Sequence, residues 1–330
     1  MSNRGEQNFS REGFFEQYSH LLLREKVESI EKRNPDFWTN LERIRSHYER
    51  SIDQYKSTLS VMIDEISKAD MSDPTIHSIR YRVKDVDSLL IKIIDKSVKV
   101  PTQCQSNPEI EKYRYISDKN YYKIITDLVG VRILIRYRYQ WQAVHNLIWQ
   151  LYHSDGREYV VDWENDYIYD PALKFIAEKP KAYIKQESDR SIYEAIGKNI
   201  FHILPSDNHY ASLHYLVNRS GTYVELQVRT IFDEAWCECS HDFVYKTKVR
   251  SDTEKYTLER LSTILAQHTT ASDEIVSLMC DIAKPSCKIT KANSNTDEET
   301  KHNAEKNAKT FSCIKQRARL LSEQNDNKSV

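Results

Sequence analysis

Between residues 37 and 68 an apolar residue returns every three or four positions: Leu41, Ile44, Tyr48, Ile52, Tyr55, Leu59, Met62 and Ile66. That period marks one face of an α-helix, so the spacing predicts a single long helix. An earlier helix is expected over 12–32, with RNPD (33–36) as the break. DMSDP (70–74) ends this helical part. The pattern then reads strand over 75–83, helix over 85–98 and a short helix near 117–126. LVGVRILIRY (128–137) is an apolar run typical of a buried central strand. WQAVHNLIWQLY (141–152) has the spacing of an amphipathic helix. Residues 153–200 predict short strands and a mobile connection. Helices are expected over 231–246 and 251–279, the latter opened by a capping box from Ser251 to Glu254. From 286 onward Lys, Asn, Glu, Thr and Ser dominate, which reads as a disordered tail with a short helix near 308–322.

YVELQVRT (223–230) has strand character but an odd allocation of side chains. Leu226 and Val228 share one face, while Glu225, Gln227 and Arg229 share the other. A solvated outer face would explain such a stripe. Upstream, HYASLHYLV (209–217) and NRSG (218–221) predict a hairpin with a four-residue loop. Pairing Val217 with Thr222 sets His214 opposite Glu225, Ser212 opposite Gln227 and Tyr210 opposite Arg229. One face then carries an aromatic ring for a base, cations for phosphates and a carboxylate for a metal. A one-residue slip would scatter the set.

Composition narrows the choices. The 330 residues carry a formal net charge of −1, so phosphate binding has to be local rather than a bulk basic surface. Mean hydropathy is −0.69. No apolar run approaches a membrane span and the N-terminus lacks a signal-peptide core, so a cytoplasmic protein with no membrane partner is expected. Six scattered cysteines show no C-x-x-C spacing and read as reduced thiols; Cys237 and Cys239 point to different faces of a helix and would not share a zinc. With only 6 Gly there is no phosphate-cradling glycine loop.

Three constellations remain. Arg82 and Lys84 share a face at a strand end, and Ser88 and Lys92 share a face of the next helix; together they could grip a polyphosphate, or form a solvated basic face. Asp127 stands at the mouth of the central strand, a common place for a magnesium ligand and also for a turn cap. Glu238 and His241 make an E-x-x-H whose only other copy, Glu299 and His302, lies in the polar tail, so a two-metal bundle is rejected. His241 is read instead as orienting a neighbour or packing near Trp236 and Tyr245.

RVKDVDSLLIK, DLVGVRI, NHYASLHYLV, VELQVRT and AWCECSHDFVYK occur in the order of the synthetase domain of Rel/Spo-type alarmone synthetases, which the chain resembles over roughly 75–250. The resemblance implies an α+β fold: a nucleotidyltransferase-like mixed β-sheet flanked by helices. It also implies transfer of the β,γ-pyrophosphate of ATP to the 3′-hydroxyl of GTP or GDP, with release of AMP. Arg82 and Arg132 would then sandwich the adenine, and Lys84, Ser88 and Lys92 would hold the ATP phosphates. Asp127 and Glu225 would be the catalytic carboxylates binding Mg²⁺, and Glu225 would draw the proton from the attacking hydroxyl. Tyr210 would stack on the acceptor base, with Asn208, His214 and Gln227 placing the acceptor.

The chain departs from that pattern on the acceptor side. Ser206 replaces a lysine, His209 replaces the glycine of N-G-Y, and GKNI (197–200) stands where R-F-K-D is usual. Transfer to a tRNA 3′ end or an adenine nucleotide by a growth-inhibiting toxin, and an inactive nucleotide-binding module, therefore stay open. So do a neutralising antitoxin and a homo-oligomer. The expected division is a helical extension (1–70), a catalytic domain (71–250), a C-terminal helix (251–285) and the tail (286–330).

Overall fold

Three helices open the described part of the chain: α1 (Arg11–Tyr18), α2 (Arg24–Arg33) and α3 (Phe37–Asp70). The computed structural model describes residues 10–19, 22, 24–71, 75–101, 107–153, 174–197, 199–206, 210–245 and 251–283. The periodic segment forms α3 as one 34-residue helix, and Leu41, Ile44, Tyr48, Met62 and Ile66 are fully buried along it. The single helix expected over 12–32 is instead α1 and α2. The break lets Phe14 and Phe15 on one piece, and Val27 and Ile30 on the other, enter the same core.

Next come β1 (Ile76–Val83), α4 (Val86–Val98), α5 (Pro108–Glu111) and α6 (Tyr121–Ile124). Asp85 caps α4 by accepting from the N–H groups of Asp87 and Ser88, as its position before an apolar run requires. Then follow β2 (Val129–Ile135), α7 (Trp141–Tyr152), β3 (Lys174–Ile176), β4 (Lys181–Ile184), α8 (Arg190–Glu194), β5 (His202–Pro205), β6 (Ser212–Arg219) and β7 (Thr222–Thr230). Strand β5 falls outside the expected elements: it is four residues long and closes on Pro205, too short for a period to show. The described part of the chain ends with α9 (Ile231–Ser240), a π-helical turn over His241–Tyr245, and α10 (Asp252–Ala283). Glu254 accepts from both the N–H and the hydroxyl of Ser251 while its own N–H donates back to Ser251 Oγ, so the capping box is present. The tail and its expected helix lie outside the described residues, as do residues 154–173. No described helix is long and apolar enough to cross a membrane.

The seven strands form one mixed sheet in the order β1-β2-β7-β6-β4-β5, with β3 also paired to β6. At its centre β2 and β7 are parallel, which sets Gly130 beside Glu225 and Arg132 beside Gln227. Side chains alternate across the pleat. Val129, Val131, Ile133, Val224, Leu226 and Val228 therefore face a core shared with α3, α4 and α7, and each contributes about 1.5–3 kcal/mol through burial. The polar residues between them face the other way.

The hairpin differs from its expected register by two residues. Arg219 pairs with Thr222, so the turn is Ser220-Gly221, both at positive φ (49° and 85°), and His214 sits opposite Gln227. Such a two-residue turn matches strand twist better than a four-residue loop, and glycine takes the second position without strain. A slip of two keeps every side chain on its predicted face.

Behind the sheet His145 of α7 is buried, its Nδ1 3.0 Å from the hydroxyl of Tyr215. Burial pushes its imidazole down to about 4 from 6.5. Between those values the unfolded chain binds a proton that the folded chain does not, so this contribution to stability is intact above pH 6.5 and lost as pH falls toward 4. The slope should be about 1.4 kcal/mol per pH unit. Urea unfolding of the wild type and His145→Phe at pH 7, 6 and 5 checks this. The variant should lose that component of the acid sensitivity, and an unchanged slope would assign it elsewhere.

Candidate active site

Direct partners on paired strands point to the same side of a sheet. Arg80 pairs with Arg132, Arg132 with Gln227, Gln227 with His214 and His214 with Lys181, so one polar row crosses β1, β2, β7, β6 and β4. The adjacent row runs Arg82, Gly130, Glu225. Helix α9 covers this face, starting where β7 ends: Thr230 caps it by accepting from the Asp233 N–H at 3.1 Å.

One turn into α9, Glu234 is only 4% exposed and reaches back to three strands. It accepts from Arg132 Nη1 at 2.9 Å, Arg229 Nη1 at 3.0 Å and Arg80 Nη1 at 3.4 Å. Glu238, a turn further on and half exposed, accepts from Arg132 at 2.5 Å. A buried carboxylate is costly unless paired, and here three guanidinium groups offset the desolvation. Sequence reasoning missed Glu234. The available signal was an acid four residues before Glu238 on a helix packed over an arginine-bearing sheet.

Two cavities share this wall. The first, about 260 Å³, is lined by Arg80, Arg82, Asp127, Glu225 and Gln227. The second, about 380 Å³, is lined by Tyr183, Ser206, Tyr210, Arg229, Trp236 and Cys237. Arg132, Glu238 and His241 line both. His241 is exposed, at the rim of the two rather than packed away. Cys237 is half-buried, and burial pushes its thiol up to about 11, so it is no ready nucleophile.

The expected phosphate-binding residues meet at Asp127. Lys84 and Lys92 both contact its Oδ2, at 3.0 and 2.7 Å. Burial raises the Asp127 carboxyl, but Lys92 and Lys84 outweigh it and hold the group below its ordinary value. Burial pushes the Lys84 ammonium down despite Asp127. Ser88 is exposed on the first turn of α4. Asn208 lies outside the described residues.

Around Glu225 the hydrogen bonds close into a ring. Arg229 Nη2 donates to the Tyr210 hydroxyl at 2.6 Å and to Gln227 Oε1 at 2.6 Å. The Tyr210 hydroxyl lies 2.7 Å from His214 Nε2, and His214 Nδ1 lies 3.3 Å from Glu225 Oε1. Gln227 Nε2 donates to Glu225 Oε2 at 2.8 Å. The His214 ring thus bridges Tyr210 and Glu225, with Nε2 facing the Tyr210 hydroxyl and Nδ1–H directed at Glu225. Both branches from Arg229 therefore end as donors on one carboxylate. Burial raises the Glu225 carboxyl, yet His214 and Gln227 hold it below its ordinary value. Burial likewise pushes the Tyr210 phenol up to about 12. His214 and Gln227, read from sequence as acceptor contacts, thus also brace Glu225.

Among the described residues no three His, Cys, Asp or Glu side chains cluster to hold a metal. Magnesium needs fewer, because it takes one or two carboxylates and leaves other positions to water and phosphate. Asp127 and Glu225 both line the first cavity, and Asp127 Oδ1 is buried without a hydrogen bond. This pair of hard oxygen donors fits such an ion.

A family model for the region found in RelA / SpoT proteins matches residues 81–250, more than half of the chain. No curated protein matches it. The fold is similar to that of small alarmone synthetase 2 from Bacillus subtilis, at 17% identity and a TM-score of 0.43 over 72% of this chain and 99% of that one. It is also similar to small alarmone synthetase 1 from Bacillus subtilis bound to its product pppGpp, at 19% identity and a TM-score of 0.42 over 72% and 98%. A GTP pyrophosphokinase family protein from Streptococcus pneumoniae matches at 14% identity, with a TM-score of 0.39 over 72% and 98%. The residues matched by the family model include all those lining the two cavities except Arg80, and the chain belongs to the RelA/SpoT family.

Proposed function

We propose that the protein is an ATP-dependent pyrophosphokinase that transfers the β,γ-pyrophosphate of ATP to the 3′-hydroxyl of GTP or GDP and releases AMP. Membership of the RelA/SpoT family supports the reaction class. The observation that carries the reading is the pair of cavities divided by Arg132, with two ionised carboxylates in the first and an aromatic side chain in the second.

In this reading ATP takes the first cavity. Arg82 and Arg132 close on the adenine by cation–π contact, which needs no glycine loop. Lys84, Ser88 and Lys92 meet the phosphates, the two lysines exchanging Asp127 for phosphate oxygens. Asp127 and Glu225 would hold Mg²⁺, whose charge would offset that of the polyphosphate. Tyr210 stacks on the acceptor base, while Asn208, His214 and Gln227 orient the ribose toward Glu225. Glu225 takes the proton of the 3′-hydroxyl. The 3′-oxygen bonds to the β phosphorus, and the bond from that phosphorus to the α,β-bridging oxygen breaks. AMP leaves with that electron pair.

A second acceptor, an RNA 3′ end such as that of tRNA, is favoured by the charge around the second cavity. Its arginines, Arg132 and Arg229, are already engaged by Glu234 and Glu238, and Ser206 supplies no cation. Such a site suits an acceptor with little 5′ polyphosphate charge. An acceptor panel of GTP, GDP, ATP and tRNA separates the two readings.

Glu225→Gln keeps the shape but removes the base and a metal ligand, so turnover should fall by at least roughly 10²-fold. Near-normal product formation would remove Glu225 from the mechanism. Arg132→Ala should raise the KM for ATP more than that for the acceptor, because Arg132 borders the second cavity as well. Tyr210→Ala should do the reverse, through loss of stacking worth about 1–3 kcal/mol. Steady-state kinetics with each nucleotide varied in turn checks the pair. A larger effect on the same nucleotide in both variants would contradict the assignment of the cavities.

A further inference from the structure

Four described carboxylates line the first cavity, and they fall into two groups. Asp127 receives Lys84 and Lys92, and its charge acts on Glu225 beside it. Glu238 and Asp242 come instead from α9 and the π-helical turn that follows it. Asp242 is largely exposed and lies 3.9 Å from His241 of its own turn. Glu238 reaches the strands: its Oε1 accepts from Arg132 Nη1 at 2.5 Å, and its Oε2 lies 3.8 Å from Arg80 Nη1.

Arg132 already meets the buried carboxylate of Glu234 at 2.9 Å, so Glu238 is a second acid on one cation. It is half exposed and lines the cavity rather than the core. Burial raises the Glu238 carboxyl, but Arg132 and Arg80 outweigh it and hold the group below its ordinary value. Glu238 is therefore ionised at neutral pH. Each of its oxygens can accept two hydrogen bonds, which leaves it capacity beyond Arg132.

We propose that Glu238 selects the base of the nucleotide donor by accepting a hydrogen bond from the exocyclic amino group of adenine. This inference rests on the proposed function, in which Arg132 stacks on that base. A guanidinium stacks through its face and donates in plane through its edge, so Arg132 can cover the ring and keep Glu238 at the same time. Stacking then carries the carboxylate to the rim of the base, with one oxygen on Arg132 and the other toward the ring's edge. An acceptor at that place fits the amino group at C6 of adenine. Guanine carries a carbonyl oxygen there, and two acceptors facing each other repel. An enzyme that takes an adenine nucleotide and a guanine nucleotide side by side needs this discrimination, because GTP seated in the donor cavity blocks ATP.

Purine riboside triphosphate, which is ATP without the amino group, isolates the contact. Each β-labelled triphosphate is offered as donor to the acceptor that the panel identifies, and kcat/KM is compared in the wild type and Glu238→Ala. The wild type should prefer ATP to the analogue by at least about tenfold, the effect of one hydrogen bond to a charged group. That measurement needs no variant to fold. In Glu238→Ala the preference should fall to about twofold or less, because ATP loses a contact that the analogue never had. A merely structural role, in holding Arg132 or α9, slows both donors equally and leaves the preference as it was. That result, or a wild type without preference, would overturn the proposal while the pyrophosphokinase reading stands. No transfer from ATP to any acceptor would overturn both, so the two failures are told apart.

Discussion

The parallel pairing of β2 with β7 is the constraint on which the rest of the molecule depends. It sets Arg132 beside Gln227 and Gly130 beside Glu225 in the middle of the sheet, where each strand is flanked on both sides. Period-two alternation then leaves no choice about faces. The aliphatic residues of both strands go to the core, and the intervening polar ones collect on the opposite side. Buried polar groups have to be satisfied there, and side chains of the two strands and their neighbours close into a network that does so. Arg229 alone donates to Ser212, Glu234, Tyr210 and Gln227. The same bonds that satisfy it leave two donors converging on Glu225.

Glu234 extends the constraint from the sheet to the helix above it. Its carboxylate ties β1, β2 and β7 to α9, and the wall between the cavities is made from the same groups. Removing one member of a buried set of charges exposes the others to an unpaired, low-dielectric setting. Fold stability and site geometry are for this reason parts of one arrangement at this wall. The outer side of α9 leans on α10 through Trp236 and Ser240, so the support passes outward to a helix beyond the family match.

Much of this was legible in the sequence wherever a residue's role follows from local period. The long helix, the capping box at Ser251 and the polar stripe of β7 all follow from spacing alone. The predicted hairpin register was off by two residues, yet its faces were right, because an even slip preserves the pleat. What could not be read depends on tertiary geometry. Glu234 looks like any other acid in an amphipathic helix until the sheet brings three arginines beneath it. The meeting of Lys84 and Lys92 on one oxygen of Asp127 likewise depends on how α4 folds back beside β2. The helix break after α1 has no strong signal either, since no proline or glycine marks residues 19–23.

The central claim is that this face moves a pyrophosphoryl group as a unit from ATP to a 3′-hydroxyl. The position of label in the product tests it most directly. With magnesium present, ATP labelled at the β or the γ phosphorus should each label a guanosine nucleotide, while ATP labelled at the α phosphorus should label only AMP. Label from the γ position alone, or label from the α position in the acceptor, would contradict the account, and so would no labelled acceptor of any kind.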